Sequence, residues 1–130
     1  MREQEPRSFG ASELIAADKI QGKDIFNRQG ENLGKVRGIY IDKTSGKVEF
    51  LTVAQGGVLG AGAKHHPLPW ATLDYDPDRK GFVIDLDKAL LDAAPCYAVE
   101  ELEEDGGWVA QVIEFYRTRP METFGGSAAV

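Results

Sequence analysis

The sequence predicts an all-β fold: a small antiparallel β-barrel of about six strands, with one short helix and a helical extension at the C-terminal end. Short segments rich in β-branched and aromatic residues follow one another, with turn signals about every eight to twelve residues between them. At most two stretches carry a helical pattern. A length of 130 residues suffices for one hydrophobic core but not for two. These observations favour a single closed or nearly closed barrel.

The barrel is expected to occupy residues 14–97, between two flanking segments. Residues 1–13 are largely polar, a composition that buries too little surface to offset the entropy of ordering, so a flexible tail is expected. Residues 98–130 are predicted to comprise an acidic linker, a helix over residues 108–117 and a flexible C-terminus.

The first half of the barrel region contains two β-rich segments joined by a turn. Residues 33–41 favour a strand in which Gly34 and Gly38 interrupt the alternation, as happens where a strand bulges or bends sharply. Residues 42–46 are polar and end in glycine, which favours a hairpin loop whose last residue has positive φ. Residues 47–54 carry apolar side chains on both faces, so this strand is expected to be central.

The second half of the region contains further strands and one helix. Residues 64–70 include two prolines, which cannot donate to a β-ladder, so this strand is expected at an edge or to be irregular. Residues 72–75 and 81–86 are predicted to pair as a hairpin. Asp87 suits the N-cap of a helix over residues 88–93, which a proline then terminates.

The C-terminal region carries an acidic run and an apolar helix face. The acidic run is predicted to be a solvated linker, with contact to a basic partner as the alternative. It comprises Glu100, Glu101, Glu103, Glu104 and Asp105. The helix over residues 108–117 has an apolar face that includes Trp108 and Tyr116. This face either packs on its own barrel as additional core, or it docks a partner or a second copy of the chain, for which Trp and Tyr are favoured anchors.

Two patterns resemble ligand sites but lack the context that such sites need. Residues 56–62 are rich in glycine and could approach a phosphate, but no Gly-Lys-Ser/Thr follows them and no helix begins there. His65 and His66 are adjacent on a strand and point to opposite faces, so they cannot easily share one metal ion.

A third pattern has the oxygen spacing of a calcium loop. It consists of Asp74, Asp76, Asp78 and Asp85. Because Arg79 stands where such a loop requires glycine, a solvated hairpin turn is favoured instead. Cys96 is the only cysteine, so an internal disulfide is excluded. We predict no catalytic residue, no metal site and no cofactor.

The charge and hydropathy of the chain bear on its location and partners. The formal net charge is −6, which repels phosphate backbones, so no direct binding to nucleic acid is expected. The N-terminus lacks the apolar stretch of a signal peptide, and the apolar runs fall short of a membrane helix. A cytoplasmic protein without membrane insertion is therefore expected.

The order and spacing of several segments resemble the PRC-barrel domains, which occur in the cytoplasmic part of the photosynthetic reaction-centre H subunit and at the C-terminus of ribosome maturation factors. The resemblance covers about residues 14–97. Its segments are Gly-Lys-Asp-Ile at 22–25, Asn-Arg-Gln-Gly-Glu-Asn-Leu-Gly at 27–34, the strand 35–42 with the Thr-Ser-Gly turn at 44–46, the strand 48–53, the glycine-rich loop 56–62, Pro69-Trp70 with Leu73, and the closing segment 90–95.

The resemblance implies a small antiparallel barrel that serves as an interaction or assembly module and has no catalytic site of its own. We expect a stand-alone version, without the membrane anchor of the reaction-centre subunit and without the RNA-side domain that precedes the barrel in maturation factors. The partner of neither relative can be transferred directly.

We therefore expect a non-enzymatic protein-interaction module that forms a homodimer. The expected contact residues are Val58, Leu59, Trp70, Trp108 and Tyr116. One alternative is an accessory role in ribosome assembly through a basic ribosomal protein, and another is an accessory role in a membrane-bound photosynthetic or electron-transfer complex.

Overall fold

The computed structural model describes residues 13–55, 62–104 and 106–118. The strands are β1 (Asp24–Asn27), β2 (Asn32–Ile41), β3 (Val48–Gln55), β4 (Lys64–Pro69), β5 (Leu73–Asp76) and β6 (Gly81–Ile84). The helices are α1 (Ala17–Ile20), α2 (Lys88–Ala93), α3 (Val99–Glu104) and α4 (Gly107–Thr118). One turn of 3-10 helix, Trp70–Thr72, joins β4 to β5.

One six-stranded sheet in the order β4-β3-β2-β1-β6-β5 forms the centre of the fold. Every neighbouring pair is antiparallel except β1 and β6, which pair in parallel from Ile25↔Phe82 to Asn27↔Ile84. The six strands and their barrel-like curl are confirmed. The predicted all-β class and purely antiparallel arrangement were wrong, because the sheet is mixed and helices pack beside it.

The parallel pair arises because the 3-10 turn does not reverse the chain. Strand β4 runs opposite to β1, because three antiparallel pairings lead from one to the other. Strand β5 also runs opposite to β1, because it is antiparallel to β6, and β6 is parallel to β1. The strands β4 and β5 therefore run in the same direction at opposite edges of the sheet, although only Trp70–Thr72 separates them. The sheet must curl until its two edges meet at this corner, where the Thr72 hydroxyl donates to the Pro69 carbonyl at 2.6 Å.

Strand β3 is buried on both faces. Phe50, Leu51, Thr52 and Val53 are successive residues of β3, and none is more than 6% exposed. Alternate residues of a strand point to opposite faces, so β3 contributes to the interior of the curl and also to a second layer outside it. The prediction that this strand is central is confirmed, since β3 lies between β2 and β4. The prediction of an edge position for the proline-containing strand is confirmed by β4.

The two glycines of β2 permit close approach to β3. Gly34 has a φ of +135°, and a Cβ there would lie 2.5 Å from Cγ2 of Val53. A Cβ at Gly38 would lie 2.8 Å from Oγ1 of Thr52, and the β2–β3 register shifts between Val36 and Gly38. The predicted bulge or bend at these glycines is therefore confirmed.

Local side-chain hydrogen bonds fix the hairpin turn before β3 and the start of α2. The Asp42 carboxylate accepts from the amide of Thr44 at 2.9 Å, and Gly46 has the predicted positive φ of +78°. The Asp87 carboxylate accepts from the amide of Leu90 at 2.8 Å, which is the predicted N-cap of α2.

The acidic run forms a helix, so the prediction of a linker was wrong. Helix α3 spans Val99–Glu104, and the Glu101 side chain accepts from the backbone amide of Ala98 at 2.8 Å. Glutamates in the first turn also face the positive end of the helix dipole. Leu102 is 5% exposed and joins the core, which supplies the packing that a short helix needs. Asp105, the last residue of the run, lies outside the described residues.

The predicted C-terminal helix is confirmed as α4. Its apolar face packs on the barrel and not into solvent: Trp108 is 8% exposed, Val112 is fully buried and Tyr116 is 6% exposed. In the described ranges, no helix combines the length and the apolarity that a membrane span requires.

Candidate interaction surface

An apolar groove of about 510 Å³ lies between α4 and the ends of β2 and β3. Its apolar lining includes Tyr40 and Ile41 from β2, Phe50 from β3, and Trp108 and Ile113 from α4. Ile41 is 51% exposed and Ile113 is 44% exposed, so the groove carries unburied apolar surface in the isolated chain. Surface of this kind, with polar residues around it, marks interaction sites.

The floor of the groove is held in place by Trp108. Its indole packs edge to face on Phe50 and Tyr40, with ring centroids 5.0 and 5.8 Å away. The indole Nε1 donates to the carbonyl of Leu102 at 3.0 Å. This single side chain therefore links α4 to β2, to β3 and to the end of α3, and it keeps the groove preformed.

A second depression of about 320 Å³ lies beside the first one. Glu49, Phe50 and Ile113 line both, so Ile113 stands between two hollows. Tyr116 lines the second depression, and its buried hydroxyl has no hydrogen-bond partner among the described residues. Burial raises the pKa of this phenol, so Tyr116 stays neutral there.

Charged residues of both signs line the two depressions. Asp42 and Glu49 line them together with Lys43 and Arg117. Hydrogen bonds from the Thr44 amide and the Ser45 hydroxyl lower the pKa of Asp42, which keeps that carboxylate ionised. Among the described lining residues, two acidic and two basic side chains thus border the apolar surface, and Arg117 is itself paired with Glu114.

The residues predicted as contacts lie in different environments. Trp70 is 36% exposed in the 3-10 turn and packs edge to face on Phe82 at 5.8 Å. Trp108 and Tyr116 are buried against the chain's own sheet, which favours the alternative that the α4 face is additional core. Val58 and Leu59 lie outside the described residues.

The groove residues Ile41 and Ile113 were not selected from the sequence. Ile113 belongs to the apolar pattern of α4, but that pattern alone does not tell which members face the barrel. Ile41 ends β2 next to the Asp42–Gly46 turn, a position where an apolar residue is easily exposed. The burial of Trp108, Val112 and Tyr116 shows that the barrel covers only one side of the helix and leaves Ile113 at its border.

The adjacent histidines occupy different environments, as predicted from their alternation on a strand. His65 is partly exposed, and its backbone amide donates to the carbonyl of Tyr97 at 2.7 Å. His66 is 3% exposed, and its Nδ1 has no hydrogen-bond partner among the described residues. Burial lowers the pKa of His66 and favours its neutral form.

The aspartates with calcium-like spacing belong to the predicted hairpin. Strands β5 and β6 pair antiparallel, and the Asp76 carboxylate accepts from the backbone amide of Asp78 at 3.0 Å. The Oδ2 atom of Asp74 instead lies 3.5 Å from a guanidinium nitrogen of Arg28. Across the described parts of the chain, no group of three or more His, Cys, Asp or Glu side chains is arranged to hold a metal ion.

A curled six-stranded sheet with flanking helices places the chain among small barrel-like domains. The profile of the PRC-barrel domain family matches residues 12–91, which is more than half of the chain, and the chain belongs to this family. The resemblance found in the sequence is thereby confirmed. Membership indicates a protein-interaction module in general. No curated protein matches the chain.

Proposed function

We propose that this chain is a non-catalytic protein-interaction module that self-associates through the two depressions beside α4. The observation that carries the proposal is the position of Ile113, an exposed apolar side chain between two apolar hollows. A ridge beside a hollow is complementary to a second copy of itself. In a two-fold arrangement, Ile113 of each copy would enter a hollow of the other.

The charges support a second copy as the occupant. Two acidic chains repel each other at long range, so a stable contact needs a surface without excess charge. Asp42 and Glu49 line the hollows together with Lys43 and Arg117, and Lys43 of each copy can pair with a carboxylate of the other across a two-fold axis. A strongly basic partner would find no excess of negative charge at this surface.

The test is the mass of the chain in solution, measured by sedimentation equilibrium. Ile113→Glu places a charge between the hollows, and we expect it to shift the wild-type dimer to monomer. The matched control is Leu14→Glu, because Leu14 is 60% exposed and lines neither hollow. A monomeric wild type at the highest soluble concentration, or a dimer that Ile113→Glu leaves intact, would refute this proposal.

The acidic helix α3 favours a second candidate function. Glu100, Glu103 and Glu104 are exposed on α3 while Leu102 is buried beneath them. Such a surface suits a basic protein, as the alternative of an accessory role in ribosome assembly requires. Co-sedimentation with ribosomal subunits that is lost at high salt and in a Glu100→Gln/Glu104→Gln variant would support it, and co-sedimentation that neither change reduces would oppose it.

A further inference from the structure

A basic depression lies apart from the groove beside α4. It has a volume of about 370 Å³, and its lining includes Lys19, Lys23, Arg79 and Lys80. Among the described residues that line it, Asp24 is the one carboxylate, and that carboxylate accepts from Nζ of Lys35 at 2.8 Å. Four cations therefore surround a hollow whose acidic member is already paired, in a chain of net charge −6.

The cations of this depression are only partly neutralised by the chain itself. Within the described ranges, Lys19, Lys23 and Lys80 form no ion pair within 4 Å. The Nε atom of Arg79 lies 3.7 Å from Oδ2 of Asp76, so this cation is partly paired. The Arg79 guanidinium also lies over the Phe26 ring at 5.2 Å, which holds it in place without removing its charge. The depression is therefore a local, partly preorganised region of positive potential.

Lys80 has a strained backbone conformation, and the turn in which it lies does not require a lysine. Lys80 ends the β5–β6 turn with a φ of +55°, and it is the only residue other than glycine with positive φ in the described parts of the chain. Glycine or asparagine occupies this conformation with less strain. The turn would thus accept glycine at this position at least as well, and the lysine instead contributes a charge to the depression.

We propose that this depression binds an extended acidic segment of a partner protein, a second contact that does not depend on self-association. The lining cations are complementary to carboxylates, and an extended chain can present several carboxylates to them without packing a folded element on the depression. Nucleic acid is disfavoured because the chain is acidic overall, with a net charge of −6 that repels phosphate backbones.

The proposal is tested with a fluorescein-labelled hexaglutamate peptide and fluorescence anisotropy on the intact chain. We expect wild-type binding that weakens as salt is added. The variant Lys80→Gly removes the charge and relaxes the backbone, so we expect the peptide affinity to fall about two- to fivefold while the melting temperature does not fall. Lys23→Gln is expected to add a similar loss, and Lys64→Gln, an exposed lysine outside the depression, is expected to change nothing.

Several results would overturn this inference. They are the absence of hexaglutamate binding to the wild type, equal affinity in Lys80→Gly, and tighter binding of a single-stranded RNA than of the peptide. A dimer that dissociates with salt and in Lys80→Gly would show that an acidic surface of a second copy occupies the depression, and it would also overturn the proposal. If Ile113→Glu is monomeric but binds the peptide as tightly as the wild type does, the peptide contact is independent of the proposed self-association.

Discussion

The indole of Trp108 lies edge to face on the ring of Phe50, with the centroids 5.0 Å apart and the planes at 67°. Phe50 belongs to the central strand β3, so this contact attaches α4 to the sheet. The C-terminal helix is therefore part of the folded unit, and it forms one wall of the groove.

Replacing Trp108 by alanine should destabilise the chain by about 3–5 kcal/mol. The substitution removes three aromatic contacts, those with Tyr40, Phe50 and Tyr97, and the hydrogen bond to the Leu102 carbonyl. Urea unfolding followed by circular dichroism measures the loss. Trp108→Phe keeps a ring in place and should cost less than the alanine variant. A loss below about 1 kcal/mol for Trp108→Ala would mean that α4 contributes little to the fold.

Gly81→Ala should destabilise the chain by about 1–3 kcal/mol through overpacking. A Cβ at Gly81 would lie 2.6 Å from the backbone carbonyl oxygen of Asp24, where β6 pairs in parallel with β1. Backbone cannot move aside as a flexible side chain can. The matched control is Gly106→Ala, because a Cβ there meets no atom within 4 Å. Equal stability of the two variants in thermal melts would contradict the close approach of β1 and β6.

His66 should make the fold less stable as the pH falls below about 6.5. Burial lowers the pKa of His66 in the folded chain below its ordinary value of 6.5. The unfolded chain therefore takes up the proton first, and stability rises with pH until the imidazole is neutral in both states. Below the unfolded pKa the loss is at most about 1.4 kcal/mol per pH unit, and it ends at the folded pKa.

The pH effect is measured as the free energy of unfolding in urea between about pH 7 and pH 5. The variant His66→Gln should flatten this dependence. The carboxylates Asp24 and Asp42, whose pKa values are lowered by hydrogen bonds from Lys35 and from the Thr44 amide, lose their contribution only at more acidic pH. An unchanged slope in His66→Gln would exclude His66 as the titrating group.

Asp87→Ala should destabilise the chain by about 1 kcal/mol. The carboxylate of Asp87 accepts from the Leu90 amide at 2.8 Å, and alanine leaves that amide without its cap. Asp87→Asn keeps an acceptor oxygen at the same place and should restore most of the stability. If guanidinium unfolding showed the same midpoint for wild type and Asp87→Ala, the cap would have no role in holding α2.

Local patterns in the sequence predicted those features that depend on a few neighbouring residues. The positive φ at Gly46, the cap at Asp87, the bulge near Gly38 and the helix at residues 107–118 are of this kind. The acidic run was predicted incorrectly because its charges suggest a linker. Its helix depends on the burial of Leu102, a long-range contact that charge patterning does not contain.

The candidate surface was predictable only in part. The apolar period of α4 includes Trp108, Tyr116 and Ile113, but the contacts with Phe50 and Tyr40 decide which of these side chains become core and which remain exposed. The basic depression brings together Lys19 and Lys23 with Arg79 and Lys80, which are far apart along the chain. Their proximity follows from the parallel pairing of β1 and β6.

The amino-acid order alone was enough to assign the chain to its family, its turns and most of its strands, because these follow from glycine, proline and polar residues acting over short distances. The direction of the β1–β6 pairing could not be read from it. That direction depends on whether the three residues Trp70–Thr72 reverse the chain or merely bend it, and the sheet as a whole settles this by closing its hydrophobic interior. The same closure places the exposed Ile113 and the four cations where separate surfaces can form.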